Sequence, residues 1–294
     1  MVNDEFSMLY KKYYTRDDVL FEILKSTKSR EMAMINPDFT IRCMYCSSIK
    51  FLKWNVNEFG GFDRNMSNFY YSIASVKNMP VFDFKKSIRQ EQQEKFNKEF
   101  NNYVIGYDFF IDLDRGSVPE PSKKILKKDF NEKTYIKSYL INDMKKLKKV
   151  FDDYKIPYSL RFSGSGFHFL IADKYLPNDK FEDKIKLCKN IAFDLKNWFG
   201  IMSIDDSIYN ARRICKIPYT IDIKTGNVCM PLTDDDAENF DYNNYHITVL
   251  IDKQFRGRGL LSHNEFEGND NICKLINYMG TKVDYNKINE QEVE

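Results

Sequence analysis

The sequence predicts a mixed α/β fold for this 294-residue chain, and three features of its hydrophobic pattern carry the prediction. The run YVIGYDFFIDLD, residues 103–114, has the apolar content of a strand at a sheet centre. The run YSLRFSGSGFHFLI, residues 158–171, reads as two strands pinched at Gly164 and Gly166. Residues 132–151 and about 179–199 repeat apolar side chains at helical spacing. No internal repeat and no low-complexity linker divides the chain, so one unit over 1–294 is expected.

Each element follows in order. Thr15 with Arg16, Asp17 and Asp18 marks a helix start, and Val19, Leu20, Ile23 and Leu24 form its apolar face. MAMI at 32–35 and FTIRCMY at 39–45 are strand-like, and Asn36-Pro37-Asp38 between them is turn chemistry, which makes a hairpin. Residues 86–100 are charged and Gln-rich, with Phe96 and Phe100 at helical spacing, and lead into the strand 103–114. RGSVPEPSKK is a loop. In the helix 132–151, Ile136, Tyr139, Leu140, Met144, Leu147 and Phe151 point inward. That leaves Lys145, Lys146, Lys148 and Lys149 as a solvated face or, alternatively, a contact to a nucleic-acid backbone. IDDSIYNARRICKIPYTIDIKTGNVCMPL, 204–232, ends in a hairpin that turns at Lys224-Thr225-Gly226-Asn227. The remainder holds HITVLI, the basic loop FRGRG with Arg256 and Arg258, a helix near 270–279 and a polar, acidic end.

Composition narrows the function classes. With 43% hydrophobic and 15% aromatic residues the chain can bury its own core. Lys plus Arg number 45 against 43 acidic residues, so a net charge of +2 gives no bulk attraction to nucleic acid, and any such binding must come from local clusters. No apolar run reaches the roughly 18 residues of a membrane span, and the opening MVNDEFSMLYKKYY is not a secretory signal; a cytoplasmic protein without membrane association is expected. The six cysteines are scattered and read as reduced thiols. Cys43 and Cys46 alone have metal-like spacing, but alternate strand positions explain the pair and no second pair follows.

Three clusters carry chemistry. Asp112 and Asp114, two apart in a strand, share a face and stand roughly 6.5 to 7 Å apart along it. Such carboxylates either end a strand facing water or hold paired Mg²⁺ or Mn²⁺ ions about 3.5 to 4 Å apart for phosphoryl transfer. Asp108 lies too far back to join them. Ser163-Gly164-Ser165-Gly166 is a small-residue turn that brings backbone N–H groups and hydroxyls to an anion such as a triphosphate, with His168 close behind. A plain hairpin with His168 satisfied in the core, or His168 as a general base, are the alternatives. Three histidines and no nucleophile set argue against a hydrolase triad. The third cluster is Asp205 in IDDSIY, followed by Arg212, Arg213, Lys216, Asp222 and Lys224.

In this order the three clusters resemble the archaeo-eukaryotic primase superfamily, its catalytic (small) subunits and especially the primase-polymerases. FIDLD, SGSGFH, and IDDSIY leading into KIPYTIDIKTG are similar to the three family motifs, and SREMAMINPDFTIRCMYC from Ser29 is similar to an N-terminal Arg-Glu segment and strand. The resemblance spans about residues 29–231, leaving 232–294 as a C-terminal extension. It implies an RRM-like sheet module beside a second α/β lobe with the active site in the cleft. It further implies Asp112, Asp114 and Asp205 as catalytic ligands of two Mg²⁺ or Mn²⁺ ions, with Asp206 the alternative to Asp205. Ser163, Gly164, Ser165, Gly166, His168, Arg30, Lys216, Asp222 and Lys224 are implied to bind nucleotide. The activity implied is template-directed primer synthesis and extension on single-stranded DNA from nucleoside triphosphates, with accessory initiation or replication proteins as possible partners. The rivals are a gap-filling repair polymerase and a catalytically inert nucleic-acid-binding module. The sequence departs from the family in three ways: the Ser-to-His turn lacks adjacent basic residues, Asp222 stands where a sugar-contacting His often sits, and no cysteine cluster follows the first motif, so no zinc is expected.

Overall fold

The computed structural model describes residues 4–38, 40–44, 48–50, 52–53, 66–79, 86–121, 131–177, 180–255, 263–264 and 271–279. Cys46, the strand ends Phe39 and Tyr45, Arg256 and Arg258 of the basic loop, and the acidic end lie outside them. Helices α1 (Asp4–Tyr14) and α2 (Asp17–Ser26) open the chain. Tyr10, Tyr13 and Tyr14 pack edge-on into one aromatic cluster with Phe69, and α2 buries Val19, Leu20 and Ile23 as its spacing predicts.

Two antiparallel sheets follow. The first contains β1 (Arg30–Ile35), β2 (Thr40–Met44), β3 (Asn68–Val76) and β4 (Val104–Tyr107) in the order β2-β1-β3-β4, with β8 (Ile214–Lys216) also on β3. The expected hairpin is there, Met34 opposite Ile41 and Ile35 opposite Thr40, and Asn36 Oδ1 accepts from the Asp38 N–H at 2.9 Å to close the turn. The second sheet has the order β5-β7-β6-β9: β5 (Phe109–Leu113), β6 (Ser159–Phe162), β7 (Phe167–Ile171) and β9 (Met230–Pro231). Among the described residues no helix is long and apolar enough to cross a membrane.

The run 103–114 corrects the expectation of one central strand. It breaks at Asp108 into β4 and β5, which belong to different sheets, and β5 stands at the end of its sheet. The break has a polar cause. Asp108 is buried, its carboxylate taking the Arg30 guanidinium at 2.6 Å and the Asp173 N–H at 3.0 Å. The apolar composition of β5 comes from cover, not centrality: α4 (Glu132–Asp153) and α5 (Phe181–Phe199) both pack against it.

Helix α3 (Lys86–Lys98) precedes β4, and Phe96 and Phe100 meet at 5.6 Å beneath it. In α4, Asn131 caps the first turn by accepting from the Thr134 N–H, and Leu140, Met144, Leu147 and Phe151 face the core. Lys148 does not face water. It is 8% exposed and held by Asp152 at 2.6 Å and Asp234 at 2.8 Å. Lys145, Lys146 and Lys149 also have carboxylate partners, Glu238, Asp143 and Asp153. The lysine run is therefore neutralised within the protein. Helix α5 stops at Gly200, in the left-handed region at φ 62°, and α6 (Asn271–Tyr278) is the last described element. Among the described residues Cys188, Cys215, Cys229 and Cys273 form no disulfide.

Candidate active site

The β5–β7 ladder sets Asp112 opposite His168 and Leu113 opposite Phe167. Period-2 geometry turns Asp112 and Asp114 to one side, and both line a cavity of 540 Å³ together with Ser163, Ser165, His168, Lys216, Asp222 and Lys224. Distant parts of the sequence thus converge on one cleft.

The β6–β7 turn is built by its glycines. Gly164 has φ +101°, and a Cβ there would stand 2.7 Å from the Asp222 Cβ. A Cβ on Gly166 would overlap the Leu113 carbonyl oxygen. Ser163 N–H donates to the Gly166 carbonyl at 2.9 Å, and Ser163 Oγ accepts from the Gly166 N–H at 3.0 Å. The Gly164 carbonyl accepts in turn from Thr225 Oγ1 at 3.1 Å and Asn227 Nδ2 at 2.8 Å. These bonds dock the Lys-Thr-Gly loop onto the serine-glycine turn.

Asp222 organises that loop. Its Oδ1 accepts from the Lys224 and Thr225 N–H groups at 2.8 and 3.1 Å, and its Oδ2 pairs with the Lys216 ammonium. Burial opposes the charge on Asp222, but Lys216 and the two N–H donors outweigh it and hold the carboxyl below its usual range. Lys216, expected to meet phosphate, is committed to this pair.

Asp112 is the electrostatic centre. Burial first, then the charges of Asp114 and Asp205, push its carboxyl up to about 7 against the opposing pull of Arg213 and Lys216. The Arg213 guanidinium lies 3.5 Å from Oδ2. His168 Nε2 lies 3.6 Å from Oδ1, and its Nδ1 is buried without a hydrogen-bond partner. Burial, followed by the charges of Arg161, Lys216 and Arg213, holds the imidazole well below its ordinary pKa, hence neutral. Arg161 is itself buried on β6 and donates to Tyr71 Oη at 2.7 Å and Cys215 Sγ at 3.3 Å.

Asp205 arrives through the main chain. Asp143, buried on α4, accepts from Ser203 N–H at 3.0 Å and Oγ at 2.9 Å. So anchored, the segment 203–205 bridges β5: the Asp114 N–H donates to the Ser203 carbonyl at 3.0 Å and the Asp205 N–H to the Asp112 carbonyl at 2.9 Å. The Asp205 carboxylate itself folds back onto Ser207, accepting from its N–H at 3.0 Å and Oγ at 2.6 Å, and Asp205 is not among the residues lining the cavity. Asp206 pairs with Lys196 at 3.4 Å. Asp114 accepts from the Gly116 N–H at 2.8 Å. Hard carboxylate oxygens and surplus negative charge around Asp112 suit Mg²⁺ or Mn²⁺, but among the described residues no set of three His, Cys, Asp or Glu side chains is gathered for a metal.

Arg30 is not brought to the cleft. Its guanidinium is spent on Asp108 and on the Ser72 and Ile73 carbonyls. Of the third cluster's arginines Arg213 lines the cleft, together with Arg115 and Tyr70, which no motif of the sequence points to. Arg212, in the turn before β8, points away from the cleft to Glu31 at 2.7 Å and over the Phe100 ring.

No protein-family model and no curated protein sequence matches the chain. Among solved structures it is similar to the polymerase domain from Mycobacterium tuberculosis Ligase D in complex with DNA, with a TM-score of 0.50, 12% identity, and 85% of this chain and 89% of that chain covered. At that identity the likeness speaks to fold alone: the chain shares with that domain an α+β architecture of antiparallel sheets and helices.

Proposed function

We propose that the chain is a template-directed nucleotidyltransferase that starts and extends primers on single-stranded DNA from nucleoside triphosphates. One observation carries this reading: Asp112 is a desolvated carboxyl raised to about 7 by burial, Asp114 and Asp205, in a cleft whose other walls are cationic and rich in N–H and hydroxyl groups. Asp112 and Asp114 would hold the divalent ions, and Asp205, whose N–H bonds the Asp112 carbonyl, would join them as third donor once its carboxylate turns from Ser207. Bound there, such ions supply charge stabilisation to the attacking and leaving oxygens of phosphoryl transfer.

The chain's own groups do the rest. The Ser163–Gly166 turn offers Ser165 and its main chain to the triphosphate, and Lys224, free of ion pairs among the described residues, offsets phosphate charge. Neutral His168 presents an N–H without adding a cation beside Asp112. The Lys216–Asp222 pair fixes the loop that presents Lys224. We read 1–294 as one catalytic unit with its core at about 29–231, an RRM-like sheet beside a second lobe, and accessory initiation or replication proteins as possible partners.

Primer synthesis on unprimed single strands, with ribonucleotides and deoxyribonucleotides supplied separately, tests the reading. Labelled product from wild type and none from Asp112→Ala or Asp205→Ala is expected. Undiminished synthesis by both variants overturns the assignment. Extension of primed but not unprimed strands selects gap filling instead.

A further inference from the structure

Beside the carboxylate cleft lies a second, larger cavity of 790 Å³. The two are continuous, since Arg115, Ser165, Lys224 and Thr225 line both. The far wall is the first turns of α4 and the segment 242–249. Four cations border the space: Arg115, Lys133, Lys137 and Lys224. None of them has an ion-pair partner among the described residues, in contrast to the lysines farther along α4, and Glu132 is the one carboxylate on the wall. Interspersed with the charges are Ile136, Leu140, Val249 and Tyr242. The Tyr242 side chain is buried, its hydroxyl has no hydrogen-bond partner, and Lys137 sits over its ring at 4.6 Å.

A lining in which unpaired cations are interspersed with aromatic and apolar surface matches a nucleotide chain, which offers both phosphates and base faces to the groove that holds it. A triphosphate tail would use the charges but not the apolar wall. We propose that this cavity carries the single-stranded nucleic acid that leads to or from the carboxylates, Lys133 and Lys137 meeting backbone phosphates and Tyr242 a base. What the strand does there rests on the proposed function; its binding does not require turnover.

The test is fluorescence anisotropy of a labelled oligothymidylate of about 20 nucleotides on the full chain, without nucleoside triphosphate, over a range of salt. Lys133→Ala/Lys137→Ala is expected to bind about tenfold more weakly and to lower the slope of log affinity against log salt by about 1 to 2. Tyr242→Phe, which removes only the unpartnered hydroxyl, is expected to weaken binding about two- to fivefold at unchanged slope. Thermal unfolding checks that each variant is folded. Unchanged affinity and slope in the double variant overturn the proposal, as does a wild type that binds no strand. A raised KM for nucleoside triphosphate with unchanged strand affinity also overturns it, and gives the cavity to the triphosphate. If wild type binds the strand, the double variant weakens it, and neither adds a nucleotide, the strand site stands and the transferase reading falls.

Discussion

Asp112 and His168 face each other across the β5–β7 ladder with Nε2 3.6 Å from Oδ1, yet they do not form a charge pair. Burial and the Arg161, Lys216 and Arg213 charges keep the ring neutral, while burial, Asp114 and Asp205 make the carboxyl reluctant to ionise. The chain has three histidines, so the ring resonances are separable by NMR. The His168 signals should stay flat between about pH 5 and 8. A His168 titration at the ordinary histidine midpoint would show that the buried cations do not govern this ring.

Asp112→Asn should abolish nucleotide addition and stabilise the fold. The raised carboxyl binds its proton more tightly folded than unfolded, so its contribution is most favourable below the ordinary Asp value and is lost as pH climbs towards about 7. At neutral pH the charged group costs stability, and the amide relieves that cost. A rise in Tm of a few degrees is expected at about pH 7.5, shrinking towards about pH 4. Calorimetry that finds Asp112→Asn less stable than wild type at neutral pH contradicts the electrostatics described here.

The Lys216–Asp222 pair gives the opposite sign. Asp222 is held below its usual range, so its contribution is complete above the unfolded value and disappears as pH falls through the folded one. Asp222→Ala leaves a buried ammonium and two loop N–H groups without their acceptor, at a cost of about 3–5 kcal/mol in urea unfolding at neutral pH. The difference between wild type and variant should narrow on acidification. A gap that is constant down to about pH 3 would mean the carboxylate is not what Lys216 depends on.

Two glycines separate shape from strain. Gly166→Ala drives a methyl into the Leu113 carbonyl, main chain that cannot move without parting β5 from β7, and should cost several kcal/mol. Gly200→Ala meets nothing within 4 Å and carries only the left-handed φ of 62°, worth about 1 kcal/mol. Equal urea midpoints for the two variants would contradict this ordering.

What the sequence reveals divides along physical lines. The β6–β7 hairpin and the inner face of α4 are legible because a single period governs each, and the glycines of the turn have a local steric reason. The split at Asp108 is not legible, since apolar composition measures cover and not sheet membership, and the partners that break the run, Arg30 and Asp173, lie 78 and 65 residues away. Lys148 fails for the same reason: its position on the helix says water, and Asp234 brings the counter-charge. At the site the serine-glycine turn, the loop it carries and the strand aspartates converge as their motifs suggest. The private pairings inside them, Lys216 with Asp222 and Asp205 with Ser207, depend on side-chain geometry that spacing does not encode.

The main-chain bridge from residues 203–205 onto β5 closes the row of donors and acceptors that a terminal strand would otherwise leave open at Asp112 and Asp114. No extended peptide and no second copy of the sheet can zip onto that border. Whatever approaches the aspartates must come over the pleated surface, where recognition belongs to side chains. Evolution or an engineer can therefore exchange the functional groups at 112, 114 and 205 while the fastening beneath them, made of peptide units, stays as it is.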